Sequence, residues 1–293
     1  MAAEKKTALA VMESFTVADR YEGLDPELLA ELQDELADLD PEDGILYRQI
    51  KVPGGGGPAF EVQGETEDDV EPMKAVEGVI VFTHRVNAYW PGTYGEGDGS
   101  KAPACSSMDG KTGLNADTGE VCNCDICPYN QYGTGVDDKG RQAKGKACKN
   151  MRRVYLLMSG DPNLYLLTVP PTSIRPVNRQ LAKILSGGTP YVGMVMRFTL
   201  ERVKNSGGIV YSKVQVQTAG RLPAAAIAQI TQMRAEIKKQ HQSMAITLDD
   251  YEPAHAKGQP VDVNPDDAEM DSLYGDADFE EAPPHDDADL PFR

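Results

Sequence analysis

Five cysteines, at positions 105, 122, 124, 127 and 148, are the residues of this chain best able to do chemistry by type and spacing. Cys124 and Cys127 form a C-x-x-C knuckle, which turns the backbone so that both sulfurs can face one ion. Cys105 and Cys148 flank it on either side and can complete a tetrahedral four-thiolate site. Cys122 is a surplus thiol, and it can take the place of Cys124 in an alternative set. Five unconnected thiols, or a redox pair, are the competing readings of the same spacing. A catalytic ion would need an open coordination position and usually a histidine or acid ligand beside a general base. The chain has four histidines, and only His84 lies near the cluster in sequence. The expectation is therefore one structural Zn2+. An odd number of cysteines, all in one segment, argues for a metal and a reducing compartment rather than a disulfide framework.

Around the thiols the sequence mixes cations with flat rings. Tyr89, Trp90 and Tyr94 precede Cys105, and Tyr129 and Tyr132 follow Cys127. Lys139, Arg141, Lys144, Lys146, Lys149, Arg152 and Arg153 come next. Single-stranded nucleic acid needs both kinds of group: cations track phosphates, and ring faces stack on bases of any identity. Arg197, Arg202, Lys204 and Lys213 are expected to add an opposite wall, although strand alternation puts Arg197 and Lys204 on different faces. Each tyrosine taken singly is as well explained by ordinary packing. Enzyme signatures are missing: there is no phosphate loop, dinucleotide fingerprint or nucleophile elbow. GGGG at 54–57 lacks the Lys-Ser/Thr and helix of a phosphate loop, so it reads as a turn. Acid pairs such as Asp68-Asp69 and Asp137-Asp138 read as solvated loop residues. The chain is expected not to be an enzyme.

These groups must be positioned by the elements around them. DPELLAELQDELADLD, from Asp25, reads as a short acidic helix capped by Asp25, with Pro26 in its first position. Leu28, Leu32, Leu36 and Leu39 form its apolar stripe, and residues 1–23 show no steady period. ILYRQIKV and AFEV read as strands about a glycine turn, followed by an acidic linker at 65–72. AVEGVIVFTHRVNAYW, at 75–90, is rich in β-branched and aromatic residues and reads as a strand. The segment 91–150 has few large apolar residues and cannot build a core of its own. RRVYLLMS and NLYLLTV form a hairpin about Gly160-Asp161-Pro162. A helix is expected after Pro176 and up to Gly187-Gly188. YVGMVMRFTLERVK and GIVYSKVQVQT form a second hairpin, and Pro223 opens a last helix.

The order is strand, long insertion, strand, strand, helix, strand, strand. That is the order of an OB-fold, a five-stranded, partly open barrel, with the insertion in its first inter-strand loop beside the ligand groove. The fold expected is mainly β: an OB-fold domain over 44–222 with a zinc-stapled insertion at about 91–150. An acidic N-terminal segment (1–43), a helix (223–248) and a disordered acidic tail (249–293) flank it.

The charge map follows these boundaries. The net charge of −17 divides into −14 over residues 1–72, +8 over 73–222, +2 over 223–248 and −13 over 249–293. A basic centre between acidic ends points to a polyanionic partner. No apolar run is long enough to span a membrane. MAAEKKTALAVMESF does not read as a secretory signal, so a cytoplasmic location is expected.

The last residues, PPHDDADLPFR, place an apolar triplet on an acidic tether. They resemble the acidic tip of bacterial single-stranded DNA-binding proteins. That resemblance implies docking of replication and repair proteins through Asp286, Asp287, Asp289, Leu290, Pro291 and Phe292. The sequence departs from that tip by one residue, Arg293, which follows the phenylalanine. Over roughly 45–222, GVIVFTHRVNAYW, CSSMDGKTG, CDICPYNQYG, GKACKNMRRVYLL and PPTS resemble a group of bacteriophage and mobile-element proteins taken to be zinc-bearing single-stranded DNA-binding proteins. In that group the knuckle matches Cys124 and Cys127, which sets Cys122 aside. The resemblance implies coating of single-stranded DNA during replication or recombination in a bacterial host cell, with partners recruited by the tail. Two other readings fit the composition: a zinc-containing double-stranded DNA-binding regulator, and an adaptor whose basic patch docks an acidic protein.

Overall fold

The computed structural model describes residues 9–21, 23–38, 47–66, 69–91, 102–136, 142–205, 208–242, 244 and 246. The chain is mainly β. Helix α1 (Pro26–Asp38) starts where expected. Asp25 Oδ1 accepts from the backbone N–H of Glu27 at 3.0 Å and of Leu28 at 2.9 Å, which is the N-cap bond the sequence offers. Of its leucine stripe, Leu28 is half exposed and Leu32 partly buried.

Eleven strands form one connected sheet. They are β1 (Arg48–Lys51), β2 (Phe60–Gln63), β3 (Val70–Met73), β4 (Ala75–Tyr89), β5 (Cys105–Ser107), β6 (Thr112–Asn115), β7 (Val121–Asn123), β8 (Lys149–Leu157), β9 (Leu164–Val169), β10 (Met194–Lys204) and β11 (Val210–Arg221). Helix α2 (Pro171–Ser186) lies between β9 and β10, and α3 (Ala224–Gln240) follows β11.

Strand β4 organises everything else. Ala75–Val79 pair with β10, Val79–Ala88 pair with β8, and Asn87–Tyr89 pair with β5. One long strand therefore joins the core sheet to the insertion. An irregularity between Ile80 and Phe82 shifts its register on β8. Beyond it, directly opposed residues share a face. Phe82, His84, Val86 and Ala88 share one with Tyr155, Arg153, Met151 and Lys149, and Thr83, Arg85 and Asn87 share the other with Val154, Arg152 and Asn150. The main core is built from apolar residues of these strands, including Val76, Ile80, Val154, Leu156, Leu167, Met196, Phe198 and Val214, together with Phe60 and Val177.

Leaving out the insertion strands β5–β7, the five strands from β4 onward pair in the order β9-β8-β4-β10-β11, every neighbour antiparallel. The sheet does not close by a ladder between β9 and β11. Strand β1 occupies the far edge of β9 instead, in parallel, with Arg48, Gln49 and Ile50 opposite Tyr165, Leu166 and Leu167. The β1–β2 turn then reaches the start of β11, where the Ser212 hydroxyl donates to the Gly57 carbonyl at 2.9 Å. Gly56 in that turn has φ +79°, and a Cβ there would lie 2.6 Å from the Val210 side chain, so no other residue fits. The glycine-rich hairpin is thus an integral piece of the sheet rather than an appendage.

Three further differences from the sequence reading have local causes. The acidic linker contains strand β3, which pairs with β2 as an outer, largely exposed edge where Pro72 is tolerated. Helix α2 begins at Pro171, not after Pro176. Pro171 suits the first helical position, and the Ser173 hydroxyl, accepting from the Val214 N–H at 2.8 Å, pins that turn to β11 despite the proline at 176. Residues 10–16, expected to be loose, dock on the sheet: Met12 N–H donates to Arg221 O at 2.8 Å, Gly160 N–H donates to Thr16 O at 3.0 Å, and Phe15 is buried.

Candidate functional site: the cysteine cluster and its aromatic border

The insertion is a three-stranded meander, β5-β6-β7, hung on the end of β4. Short polar side chains make its turns, as expected of Asp and Asn. Asp109 Oδ1 accepts from the N–H groups of Lys111 and Thr112, both at 2.7 Å, and from the Ser107 hydroxyl. Asn115 Oδ1 accepts from Asp117 and Thr118, and Asn123 Oδ1 from Asp125.

Its apolar side chains do not form a core. Val121 is 70% and Ile126 78% exposed, and Leu114 is half exposed. Apart from Pro103 and three glycines, its buried residues among those described are Cys124, Cys148 and Ser107. The sulfurs gather over Gly113. A Cβ at that position would stand 2.7 Å from Cys122 Sγ, 3.2 Å from Cys105 Sγ and 3.5 Å from Cys124 Sγ, so glycine is the residue that leaves them room. Cys105 Sγ and Cys122 Sγ are 4.0 Å apart. Burial, then the neighbouring Cys122 and the other sulfurs, pushes the Cys105 thiol up to about 12. Burial pushes Cys148 to about 12 as well, reinforced by Cys124, Cys105 and Cys127 and partly offset by Lys146. All five thiols therefore sit in one electrostatic neighbourhood. Among the described residues no three ligand side chains are already arranged as a cage for an ion.

Residues absent from the sequence reading hold the knuckle. Asn130 donates its side-chain N–H to the Cys124 carbonyl at 2.7 Å, and Gln131 donates to the carbonyls of Asp125 and Cys127. Cys148 N–H donates to Tyr129 O at 2.8 Å, and Ala147 N–H donates to the Thr134 hydroxyl oxygen. These polar ties bring Cys127 and Cys148 together across the chain. A C-x-x-C followed by Pro-Tyr-Asn-Gln was the available signal.

The rings and cations named from sequence divide into three sets. Tyr89 and Tyr129 stack at 4.4 Å with planes 16° apart, beside the thiols. Tyr132 is half exposed with Lys146 Nζ 4.8 Å above its ring, and Lys144 is exposed nearby in sequence. Lys149 Nζ lies 3.5 Å from the Lys146 carbonyl. The second set is covered. Trp90 packs on the small cluster of Val86, Ala88, Met151 and Ile246, and Arg153 is 1% exposed with Nη1 3.5 Å from the Met244 carbonyl. Arg152 is half-buried. The third set is remote. Arg197 sits opposite Glu77, with which it forms an ion pair, and Lys213 opposite Glu201. Twelve residues of β4 separate Glu77 from Tyr89, on the order of 40 Å of strand. Arg197 and Lys213 therefore do not wall the same groove as the stacked tyrosines. Tyr94, Lys139, Arg141 and the tip residues 286–292 lie outside the described residues.

No protein family, curated protein or solved structure compared with the chain matches it. Among the described residues no helix is long and apolar enough to cross a membrane.

One buried group carries a pH signature. The His84 ring stacks near Phe82 and Tyr155 and meets His241 edge-on at 4.8 Å. Its Nδ1 is 2.9 Å from the Met108 carbonyl and 3.2 Å from that of Arg85, so this nitrogen carries the proton. Burial lowers its pKa from 6.5 to about 4, against the pull of the Met108 carbonyl and with help from His241 and Arg153. The unfolded chain takes up this proton near pH 6.5, and the folded one does not until about pH 4. Stability from this source is whole above pH 6.5 and declines as pH falls towards 4, reaching a loss of about 3 kcal/mol. Urea midpoints of the native chain and of His84→Phe across pH 7 to 4 check this: the native curve should fall more steeply, and parallel curves would refute it.

Proposed function

We propose that this chain binds single-stranded DNA without sequence preference, through a cationic, ring-bearing surface on an OB-like core, and that it acts as a coating protein rather than an enzyme. The observation that carries the reading is the Tyr89–Tyr129 stack beside the exposed Tyr132–Lys146 pair, within a stretch (73–222) of net charge +8. A ring face that stacks on a base contributes about 1–3 kcal/mol, and the cations supply the salt-sensitive share. The strand order β9-β8-β4-β10-β11 supports kinship with the OB architecture, with the β1–β2 hairpin inserted where such a barrel closes.

One structural Zn2+ belongs to this proposal. The donor set suits it: soft thiols gathered in a segment with no apolar core. Two sulfurs bound to one tetrahedral Zn2+ at about 2.3 Å stand about 3.8 Å apart, close to the spacing of Cys105 and Cys122. Cys105, Cys124, Cys127 and Cys148 would hold the ion, with Cys122 as the alternative to Cys124. Bound there, it supplies the charge that lets four thiolates coexist and so the folding energy of the insertion. The chain's own residues do the rest: Asn130 and Gln131 shape the knuckle, and Tyr129 brings a ring from it onto Tyr89.

Gel shifts with single-stranded, double-stranded and RNA oligomers at two salt concentrations test the reading. Retention of a dT oligomer at low salt, weakened by salt and indifferent to sequence, is the expected result. Preference for a particular duplex would favour a transcription regulator, and no nucleic-acid binding would favour an adaptor. The acidic C-terminal segment has two proposed jobs, docking partners through 286–292 and competing with DNA for the basic surface. Deleting residues 249–293, net charge −13, should tighten binding at low salt and matter less as salt rises. Equal affinity of the two chains across the salt series would dismiss the competition.

A further inference from the structure

Two helices of this chain each carry charge of a single sign. Helix α1 holds Glu27, Glu31, Asp34, Glu35 and Asp38 and no base. Helix α2 holds Arg175, Arg179 and Lys183 and no acid. Glu27, Glu31 and Glu35 stand at successive fourth positions, and so do Arg175, Arg179 and Lys183. Residues so spaced are neighbours on a helix surface, and like charges there destabilise the helix. Asp34, Glu35 and Asp38 lie towards the C-terminal end of α1, where the helix dipole disfavours acids. Among the described residues, none of these side chains forms an ion pair or a hydrogen bond.

Both helices also leave apolar side chains in the open. Leu24 is 40% and Leu28 50% exposed, and neither Leu29 nor Leu32 packs on a hydrophobic cluster of the described residues. A helix of 13 residues without tertiary packing is marginal in water. On α2, Val177, Leu181 and Ile184 are buried, while Arg179, Ala182, Lys183 and Leu185 are exposed. The two faces are complementary: one sets acids beside leucines, the other bases beside a leucine. Successive fourth positions are about 6 Å apart along any α-helix, so the two charge rows share one pitch and oppose each other pair by pair. A nucleic-acid strand would satisfy α2 alone and be repelled by α1. The acidic segment 249–293 has the charge to satisfy α2, yet it leaves α1 as it is. A partner that offers both faces satisfies both helices, and a second copy of this chain offers both.

We propose that α1 of one copy docks on the outer face of α2 of another, with Glu27, Glu31 and Glu35 against Arg175, Arg179 and Lys183. Each copy offers one face and receives on the other, so two copies can close reciprocally or the contact can run on from copy to copy. The interface is small and charged, and its affinity is therefore modest and falls with salt. The contact does not rest on the strand-binding reading. Where that reading holds, it sets neighbouring copies side by side along the strand.

Sedimentation velocity of the full chain, without nucleic acid, tests the contact over a concentration series at two salt concentrations. The mean mass of the native chain should rise with concentration and fall with salt. Glu31→Lys on α1 and Arg179→Glu on α2 change exposed side chains, and circular dichroism checks that each variant folds. Alone, each should associate about tenfold more weakly or worse, because like charges then meet across the contact. An equal mixture of the two should recover the native association: the reversed α1 of one meets the reversed α2 of the other, and the remaining pair of faces is native. A native chain that stays monomeric throughout overturns the proposal, and so does a mixture that fails to recover. Association lost in Arg179→Glu but kept in Glu31→Lys overturns it in favour of the acidic segment 249–293 as the occupant of α2. A monomeric native chain whose affinity for a dT oligomer drops in Arg179→Glu gives α2 to the phosphates of the strand instead. If the native chain associates as expected yet ignores dT, the strand-binding reading falls and the contact stands.

Discussion

Replacing Cys148 by serine, or stripping metal with a strong chelator, should unfold the insertion and abolish binding of a dT oligomer while leaving the core sheet folded. The reason lies in what the insertion buries. Its valine, leucine and isoleucine side chains at 114, 121 and 126 are exposed, while Cys124 and Cys148 are buried. A segment of that kind has little hydrophobic stabilisation to fall back on beyond Met108, which packs on the small cluster of Val86, Ala88, Met151 and Ile246. Structural zinc contributes about 10–16 kcal/mol in small thiolate modules, more than any other single interaction available here. The measurement is metal content by mass spectrometry together with limited proteolysis at residues 102–148. The native chain should carry one equivalent of Zn2+ and resist cleavage there, and the variant should do neither. Cys122→Ser separates the two ligand sets: it keeps the equivalent if Cys124 is the ligand and loses it if Cys122 is. A native chain purified without metal, yet protected over 102–148, would end the zinc proposal.

The second large effect is expected from Phe198→Ala. Phe198 is fully buried in the middle of β10. It faces Val76 on β4 and Val216 on β11, so its ring lies where two ladders share one strand. Truncating a buried phenylalanine costs about 3–5 kcal/mol, a large share of the roughly 5–15 kcal/mol that domains have in total. Urea unfolding monitored by circular dichroism should show the midpoint falling with little change in slope. A loss below about 1 kcal/mol would mean that the ring is not held as described.

How much of this was legible in the sequence depended on whether a signal was local. The run AVEGVIVFTHRVNAYW is rich in β-branched and aromatic residues and became β4 almost to the residue. Both later hairpins were legible from their turn residues. The cysteine cluster was legible by type, with Cys122 as an alternative ligand, but not how Cys122 reaches it: the pairing of Gly113 with Cys122 across β6 and β7 brings that sulfur in. Strand β3 was hidden by charge, since an edge strand needs only its backbone. The parallel pairing of β1 with β9 had no local signature at all, and so the place of the first hairpin in the sheet could not be read. Arg153 reads as a surface cation, yet alternation puts it on the face of Tyr155 and Met151, where Met244 and Ile246 cover it.

The meeting of β1 with β9 also sets a timetable. The partners Arg48 and Tyr165 are separated by 117 residues, and contacts of such long range form slowly because the intervening loop must close first. During synthesis the first hairpin leaves the ribosome and waits, the outer edge of β1 unpaired, until the chain past Val169 has emerged. Over that interval Ile50, Phe60 and Val62 have nothing to pack on. A growing polypeptide stalled between these two points should therefore be unusually attractive to holdase chaperones, and release should coincide with the appearance of β9.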